Sequence, residues 1–455
     1  MAVAREIIAS FQSNPSATKV KTAFLATEDA SMVKAFRDAF GAEVQITNGG
    51  PLTRDLSQVL NTKKEEYDAI ILCNVLDDWN LIKRRHHLGD LLKNVLTALK
   101  KSGTLVIRED MSRHPITTIP DLTKFFDVFV AQDSEGNGLT FDFYTTKQVE
   151  DSLYSKQDHL DLYWILTRAP EIVVYEEKLA TFRDFLDKTQ YTEDNVRSYE
   201  WIFGENFISP GGLDENRKFL QRYGTIKPGA KMLDIGVGIG GGARQAAKEF
   251  GLHVLGVDLS TNMIVHAFER NQRDQDCRVK YQISDILVYD FPENEFDYVF
   301  SRDAIHHIPD QDLLFAKIYT KGSKLMSDDI KPSKLLKPGG QIVISRYSKG
   351  YGKLSPKFLD YVSRRHYNLH NLEEFEGFAK KAGFVNIKME NITPRFKEIL
   401  LEEREYTIKN KNDFVGRFSE ELYNHHLEGW EDKLGYIAED NHNWHLIYAE
   451  KPKSK

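Results

Sequence analysis

The sequence predicts an α/β protein in which one doubly wound, Rossmann-like fold occurs twice in tandem, the first copy degenerate. Three observations carry this reading. Short apolar strands alternate with amphipathic helices, the mark of βαβ units and a mostly parallel sheet. Segments from the first half recur in the same order in the second. A glycine-rich loop, LDIGVGIGGG at 233–242, stands in the second half and has no counterpart in the first.

The recurrences begin with EEYDAIILCNVLDDW (65–79) and NEFDYVFSRDAIHHI (294–308). Each runs from acid through an aromatic–Asp pair into a short apolar strand and a polar turn. LLKNVLTALKKSGTLVIRED (91–110) is answered by LLKPGGQIVISRY (335–347): a helix end, a Lys-x-Gly turn and an apolar strand. FFDVFVAQ (125–132) is answered by AGFVNIKM (382–389), and LYWILTR (162–168) by HLIYAEK (445–451). The domains read as 1–170 and 187–455, joined by a charged linker at 171–186 that carries a helical pattern.

Composition bounds the function. At 455 residues the chain exceeds one ordinary core. A net charge of −7 gives no global basic field toward nucleic acid or an acidic membrane. Cys73 and Cys277 are the only cysteines, which suits a reducing, cytoplasmic compartment. The opening MAVAREIIASFQSNPS lacks an apolar core followed by a cleavage site, and no apolar run approaches a membrane span. No obligate protein partner is expected.

In the first half the strand-to-helix turn within KTAFLATEDASMVKAF (21–36) is Ala26-Thr27-Glu28-Asp29. Without glycines, Cβ atoms block close backbone approach to a ligand, and the two acids repel phosphate. This half is not expected to bind a nucleotide cofactor in the usual way.

The second-half loop fits two patterns. Gly236, Gly238 and Gly241 give the dinucleotide fingerprint G-x-G-x-x-G; Gly236, Gly238 and Gly240 give the G-x-G-x-G of S-adenosylmethionine (SAM) enzymes. Asp258, 258 − 236 = 22 positions on, ends HVLGVD where a ribose-binding acid belongs in either case. Asp234 discriminates. A carboxylate at the mouth of the strand opposes a pyrophosphate but suits the α-ammonium of SAM. Asp285, with Ile286 beside it, follows the third predicted strand as an acid for an adenine amine and an apolar wall for its ring. Helix capping is the plainer alternative for each acid. Together they favour a class I methyltransferase over a dehydrogenase.

YEWIFGENFISPGG (199–212), LDIGVGIGGG and SRDAIHHI (301–308) together resemble the phosphoethanolamine N-methyltransferases. The resemblance covers nearly all of the second half; the first half is similar only as a worn methyltransferase fold. A missing first loop beside an intact second one resembles the nematode second-step type, in which the C-terminal domain adds the second and third methyl groups. The resemblance implies phosphomonomethyl- and phosphodimethylethanolamine as substrates, phosphocholine as product, and SAM as cofactor, released as S-adenosylhomocysteine. Alternatives are phosphoethanolamine itself, a sterol or a quinone.

The resemblance also implies roles. Tyr191 and His307 match the acid–base pair that takes the proton an ammonium must lose before methylation. Asp303 matches the acid facing the amine; Tyr347, Tyr361, Arg365, Tyr367 and Lys433 match the phosphate ligands, in which Arg forks onto phosphate and Lys acts as a point charge. Tyr199, Ile208, Ser209, Leu259 and Arg302 join Asp234, Gly236, Gly238, Asp258, Asp285 and Ile286 around the cofactor. No metal is expected: His306-His307 has no companion cluster of ligand spacing. Two features depart from the pattern. About a dozen residues, Thr320 to Ser333, look inserted as a solvated loop before KPGG, and Arg346 stands where the family usually has an acid, either adding charge near the phosphate or pointing outward.

Overall fold

The computed structural model describes residues 2–27, 29–50, 59–74, 85–110, 130–132, 138–149, 161–169, 181–274, 276–319 and 334–453. Glu28, most of the 171–186 linker and the 320–333 insertion lie outside the described residues. Among the described residues no helix is long and apolar enough to cross a membrane. The chain divides into two compact units: Met1–Arg183 with Gln272–Asp290, and Asp184–Asn271 with Phe291–Lys455.

The strands are β1 (Thr22–Ala26), β2 (Gln45–Asn48), β3 (Tyr67–Cys73), β4 (Leu99–Asp110), β5 (Val130–Gln132), β6 (Gly138–Val149), β7 (Asp161–Arg168), β8 (Lys231–Ile235), β9 (His253–Asp258), β10 (Val279–Ser284), β11 (Phe296–Arg302), β12 (Leu336–Ser348), β13 (Val385–Asn391) and β14 (Asn443–Glu450). The helices are α1 (Ala2–Gln12), α2 (Ala30–Phe40), α3 (Arg85–Ala98), α4 (Glu193–Phe203), α5 (Gly212–Leu220), α6 (Gly241–Phe250), α7 (Thr261–Asp274), α8 (Gln311–Tyr319), α9 (Pro356–Arg365), α10 (Leu372–Ala382), α11 (Thr393–Lys409), α12 (Lys411–Arg417) and α13 (Glu420–Ala438).

The first unit orders its strands β2-β1-β3-β4-β7-β6, with β10 beside β6; the second orders its own β9-β8-β11-β12-β14-β13. These are one arrangement, read twice. The sheets are mixed rather than mostly parallel: β1, β2, β3 and β4 pair parallel, as do β8, β9, β11 and β12, while β7 and β14 return antiparallel. Alternation of strand and helix sets the parallel centre; β7 and β14 close each copy by pairing antiparallel with the neighbours on both their sides.

The repeated aromatic–Asp pair has a structural cause. Asp68 accepts from the N–H groups of Lys21 and Thr22 and from Lys100 Nζ, each at 2.9 Å. Asp297 accepts from Lys231 N at 2.9 Å and Lys337 Nζ at 2.8 Å. In each copy the carboxylate ties the entry of the first strand to the lysine one residue into a neighbouring strand, Lys100 after Leu99 and Lys337 after Leu336. The register between β3 and β4 shifts at Tyr67/Ala69, and that between β11 and β12 at Phe296/Tyr298, the same place in the repeat. One matched pair needs correction. Of FFDVFVAQ only 130–132 is described, as β5, which pairs off β6. The place of β13 is taken in the first unit by β6, so the strand answering AGFVNIKM lies further along the chain.

Core side chains alternate onto these sheets. Phe24, Ile70, Leu105 and Trp164 are fully buried in the first unit; Leu233, Phe300, Ile344 and Trp444 are buried in the second. Each such side chain contributes about 1.5–3 kcal/mol. In the first unit Asp29 caps α2, accepting from Ser31 N at 2.8 Å and Met32 N at 3.3 Å. The carboxylate meets the helix N-terminus where a glycine loop would offer its amides to a ligand.

Candidate active site

The second unit builds its site from the turn after β8 outward. Gly236, Gly238 and Gly240 all adopt positive φ (73°, 57° and 81°), the left-handed backbone that glycine takes without Cβ strain. A Cβ on Gly236 would stand 2.1 Å from the Ala304 Cβ. Asp258 at the end of β9 accepts from Gly238 N and from Ser260 N, each at 2.9 Å. The amide a pyrophosphate would use is therefore already engaged. Asp234 is buried, and that burial, with Asp258 next in strength, pushes its carboxyl up to about 8; Arg302 opposes the rise. Burial likewise lifts Asp258 to about 6. Two acids pushed toward their neutral forms by burial and by neighbouring acids suit an ammonium and a ribose diol and oppose a phosphate. The chain thus fits the SAM reading of the loop by its donor set, not by its glycines alone. Gly241 has a separate reason: a Cβ there would meet the Asn206 carbonyl at 1.9 Å.

Ile208 packs against Gly238, where a Cβ would stand 3.1 Å from its Cδ1. Leu259 is half-buried directly after Asp258. Arg302 directs its guanidinium at the backbone carbonyls of Ser209, Pro210 and Gly212, so it staples this turn in place. Asp285 and Ile286 fall in the first unit, where Asp285 Oδ1 accepts from Leu287 N at 2.8 Å and Ile286 is buried.

Tyr191 ends a π-helical turn, Leu186–Gln190, and precedes α4, which Thr192 caps. Asn262, in the first turn of α7, donates from Nδ2 to Tyr191 O at 2.8 Å and to Asp187 O at 3.1 Å. The Asp187 carboxylate caps α7 in turn, accepting from Ser260 Oγ and the amides of Thr261 and Asn262. The tyrosine is thus fixed to the same helix start that follows Asp258. Burial raises its phenol pKa first of all, Tyr367, Asp258 and Tyr199 add to the rise, and Arg365 opposes it.

The opposite wall comes from β11, β12, α9 and α13. Ser355 caps α9 with Pro356 in its first turn, and His366 closes it in the left-handed region, so Arg365 and Tyr367 lie on either side of the turn. Rings gather there: His306 to Tyr367 at 4.6 Å, His306 to Tyr347 at 4.7 Å, His307 to Tyr367 at 5.0 Å, and Tyr361 to Tyr367 at 5.8 Å. Arg365 faces the phenols of Tyr367, Tyr199 and Tyr361, which hold its charge against the cost of burial. Burial, then Arg365 and Glu403 with opposite signs, brings Lys433 down to about 8. His307 is held neutral, down to about 3, by burial first and Arg365 second. Asp303 sits at φ 54° with Oδ1 accepting from Trp444 Nε1 at 2.6 Å and Ser345 Oγ at 2.8 Å. Tyr347 and Tyr367 both feel its charge.

The sequence-derived acceptor residues therefore gather about one aromatic cluster, in which Tyr367 feels both the Asp303 carboxylate and the Arg365 guanidinium, and Lys433 feels Arg365. Arg346 is not among them and does not point outward. It is fully buried, donates to Gln311 Oε1 at 3.0 Å and to the Asn368 carbonyl, and lies over Phe375. A carboxylate there would meet acceptor oxygens that cannot donate to it; the Arg ties β12 to the segment after Tyr367.

The N-terminal region matches the family model for the N-terminal part of phosphoethanolamine N-methyltransferase 2 over residues 1–172, and residues 232–321 match the methyltransferase domain model. The chain is 50% identical over 389 residues to phosphoethanolamine N-methyltransferase 2 of Caenorhabditis elegans, covering 85% of each. The chain belongs to the phosphoethanolamine N-methyltransferase family. Two solved structures of phosphoethanolamine N-methyltransferase 2 from Haemonchus contortus, each 42% identical and covering 99% of both chains, superpose with TM-scores of 0.89 and 0.90. One is in complex with phosphomonomethylethanolamine and S-adenosylhomocysteine, the other with SAM.

Within this family member, the site holds residues that sequence reasoning did not single out. Trp444 and Ser345 grip Asp303. Glu403 accepts from Gly211 N at 2.8 Å and is pushed up to about 8 by burial. His426 meets Ser198 Oγ at 2.9 Å and faces Tyr199 at 5.4 Å. His442 lies 4.9 Å from Tyr347. Ser345 lies at the ISRY end of β12; the others come from β14 (Trp444), the residue before it (His442), α11 (Glu403) and α13 (His426). The first unit carries the same stations with different residues. By strand register, Asn74, Arg108 and Asp161 stand where Asp303, Ser345 and Trp444 stand. There Arg108 forks onto Asp161 at 2.8 and 2.9 Å and donates to Asn74 Oδ1 at 3.2 Å.

Proposed function

We propose that this chain transfers methyl groups from SAM to phosphomonomethylethanolamine and phosphodimethylethanolamine, giving phosphocholine, with the chemistry in the second unit. The observation that carries this is the ring cluster about Tyr367, on which the Asp303 carboxylate and the Arg365 cation both act, with Lys433 feeling Arg365 in turn. A zwitterion with an ammonium at one end and a phosphate at the other suits it; a sterol or quinone does not. When bound, SAM supplies an electrophilic methyl group on a sulfonium. Asp234, Asp258 and the glycine turn receive its methionine and ribose parts, with Tyr199, Ile208, Ser209, Leu259 and Arg302 as the proposed remainder of that pocket.

On the acceptor side, Arg365, Lys433, Tyr347, Tyr361 and Tyr367 hold the phosphate, which fixes the nitrogen for attack. Asp303 holds the ammonium. Tyr191 and His307 act as the acid–base pair: the proton that the nitrogen must lose ends on the neutral His307 imidazole, and the Tyr191 hydroxyl can only relay it, passing on its own proton as it receives one. His307 is suppressed by burial first and then by Arg365. A phosphate dianion on Arg365 offsets the second effect, so acceptor binding itself brings the imidazole back toward a useful basicity. Free thiols at Cys73 and Cys277 support a cytoplasmic setting.

Arg365→Ala tests the reading. The Michaelis constant for either phosphobase should rise by roughly 30-fold or more as a buried charge pair is broken, while SAM affinity persists. Unchanged use of both phosphobases by the variant would overturn it.

A further inference from the structure

Asp303 offers its two oxygens unequally. Oδ1 receives both Trp444 Nε1 and Ser345 Oγ, while among the described residues Oδ2 is buried without a hydrogen-bond partner, with the Arg302 guanidinium 3.8 Å away. Its backbone is held in the left-handed region, with Asp303 N donating to Ser345 O at 3.1 Å. Trp444 is itself fully buried between Phe219 and Phe396, each at 5.3 Å, so the donor cannot swing away. One oxygen is closed by the protein and one is left for a ligand.

The number of N–H donors on the acceptor decides what such a carboxylate recognises. A primary ammonium has three N–H groups and engages both oxygens of a free carboxylate. Each methyl removes one. A protonated secondary amine keeps two, and a protonated tertiary amine keeps one. A carboxylate facing a tertiary ammonium would leave one oxygen desolvated and unmet, a costly state inside a protein. Trp444 and Ser345 meet that oxygen permanently.

We propose that Trp444 and Ser345 are positioning residues that set methylation-state specificity, by capping one oxygen of Asp303 so that the site fits partly methylated ammonium groups better than a primary one. This rests on the reading that Asp303 faces the ammonium. The first unit supports the coupling of the three positions. There the equivalents, Asn74, Arg108 and Asp161, differ at all three at once and close on one another as an ion pair with an amide. The three stations behave as one device, changed together in the copy without the glycine loop.

The test compares kcat/KM for phosphoethanolamine, phosphomonomethylethanolamine and phosphodimethylethanolamine in the full-length protein and in Trp444→Phe and Ser345→Ala. Each variant removes one neutral donor, so the ratio of phosphoethanolamine to phosphodimethylethanolamine use should rise by roughly three- to tenfold. Ser345→Ala changes one small side chain and guards against misfolding of the tryptophan variant. A merely structural role would lower all three rates alike, and an unchanged ratio in Ser345→Ala overturns the proposal. Asp303→Asn separates the two layers. If it leaves phosphobase methylation intact, the reading of Asp303 fails. If it abolishes methylation while the donor variants keep the wild-type ratio, only the specificity inference fails.

Discussion

Asp234→Asn should make the cofactor-free protein more stable and SAM binding weaker. The carboxyl is 3% exposed and its pKa rises from 3.8 to about 8, with burial as the main cause and Asp258 the second. An acid whose folded-state pKa lies above its unfolded value costs stability as pH climbs from the lower value to the upper. The unfolded chain ionises through that window while the folded one does not. At pH 7 the cost is roughly 1.4 kcal/mol for each of about three pH units, or about 4 kcal/mol as an upper bound. Asparagine has the same shape and no proton to lose. In thermal unfolding at pH 8, the transition that responds to SAM should rise by up to roughly 10 °C in the variant, and the gain should shrink toward pH 4. Calorimetry should give one SAM site per chain in the wild type, with a proton released near pH 7. Affinity in the variant should fall by about 30-fold or more, since an ammonium loses its buried partner. A variant no more stable than wild type at pH 8, or one that binds SAM as tightly, would refute the argument that this carboxylate selects the cofactor.

Gly236→Ala should abolish SAM binding and lower the melting temperature, because its Cβ would stand 2.1 Å from that of Ala304 at φ 73°; circular dichroism melts and calorimetry check both. His307→Ala and Tyr191→Phe should each lower kcat by roughly 10²–10⁴ with little change in SAM affinity, read from initial rates and titrations. His442 is fully buried, and burial first and Lys433 next hold it neutral, down to about 3, so it opposes folding as pH falls below the ordinary value of 6.5. His442→Phe should therefore gain about 2 kcal/mol over wild type at pH 5 relative to pH 8, measured by urea unfolding at the two values.

Much of this was legible because it is local. The aromatic–Asp pair and the apolar strands repeat because each copy uses them to join three strands, β1, β3 and β4 in the first and β8, β11 and β12 in the second, as Asp68 and Asp297 do with their lysines. Asp234, Gly236 and Asp258 lie in short segments whose chemistry can be read from their neighbours. The acceptor chamber is different. Its tyrosines and Arg365 were reached by resemblance, and Trp444, Glu403, His426 and His442 were not reached at all. They sit 100 to 141 positions beyond Asp303 in sequence and reach the site only through the fold. Arg346 marks the limit. A charge in an apolar strand suggested either the ligand or the solvent, and its partners Gln311 and the Asn368 carbonyl are brought to it only by folding. The place of β6 was missed because residues 125–132 matched by pattern, while position in the sheet is set by pairing with β7.

The most direct test is to incubate the pure full-length protein with SAM and each of the three phosphobases and follow products by mass. Phosphomonomethyl- and phosphodimethylethanolamine should be carried to phosphocholine with equivalent formation of S-adenosylhomocysteine. No methylation of any phosphobase would contradict the account.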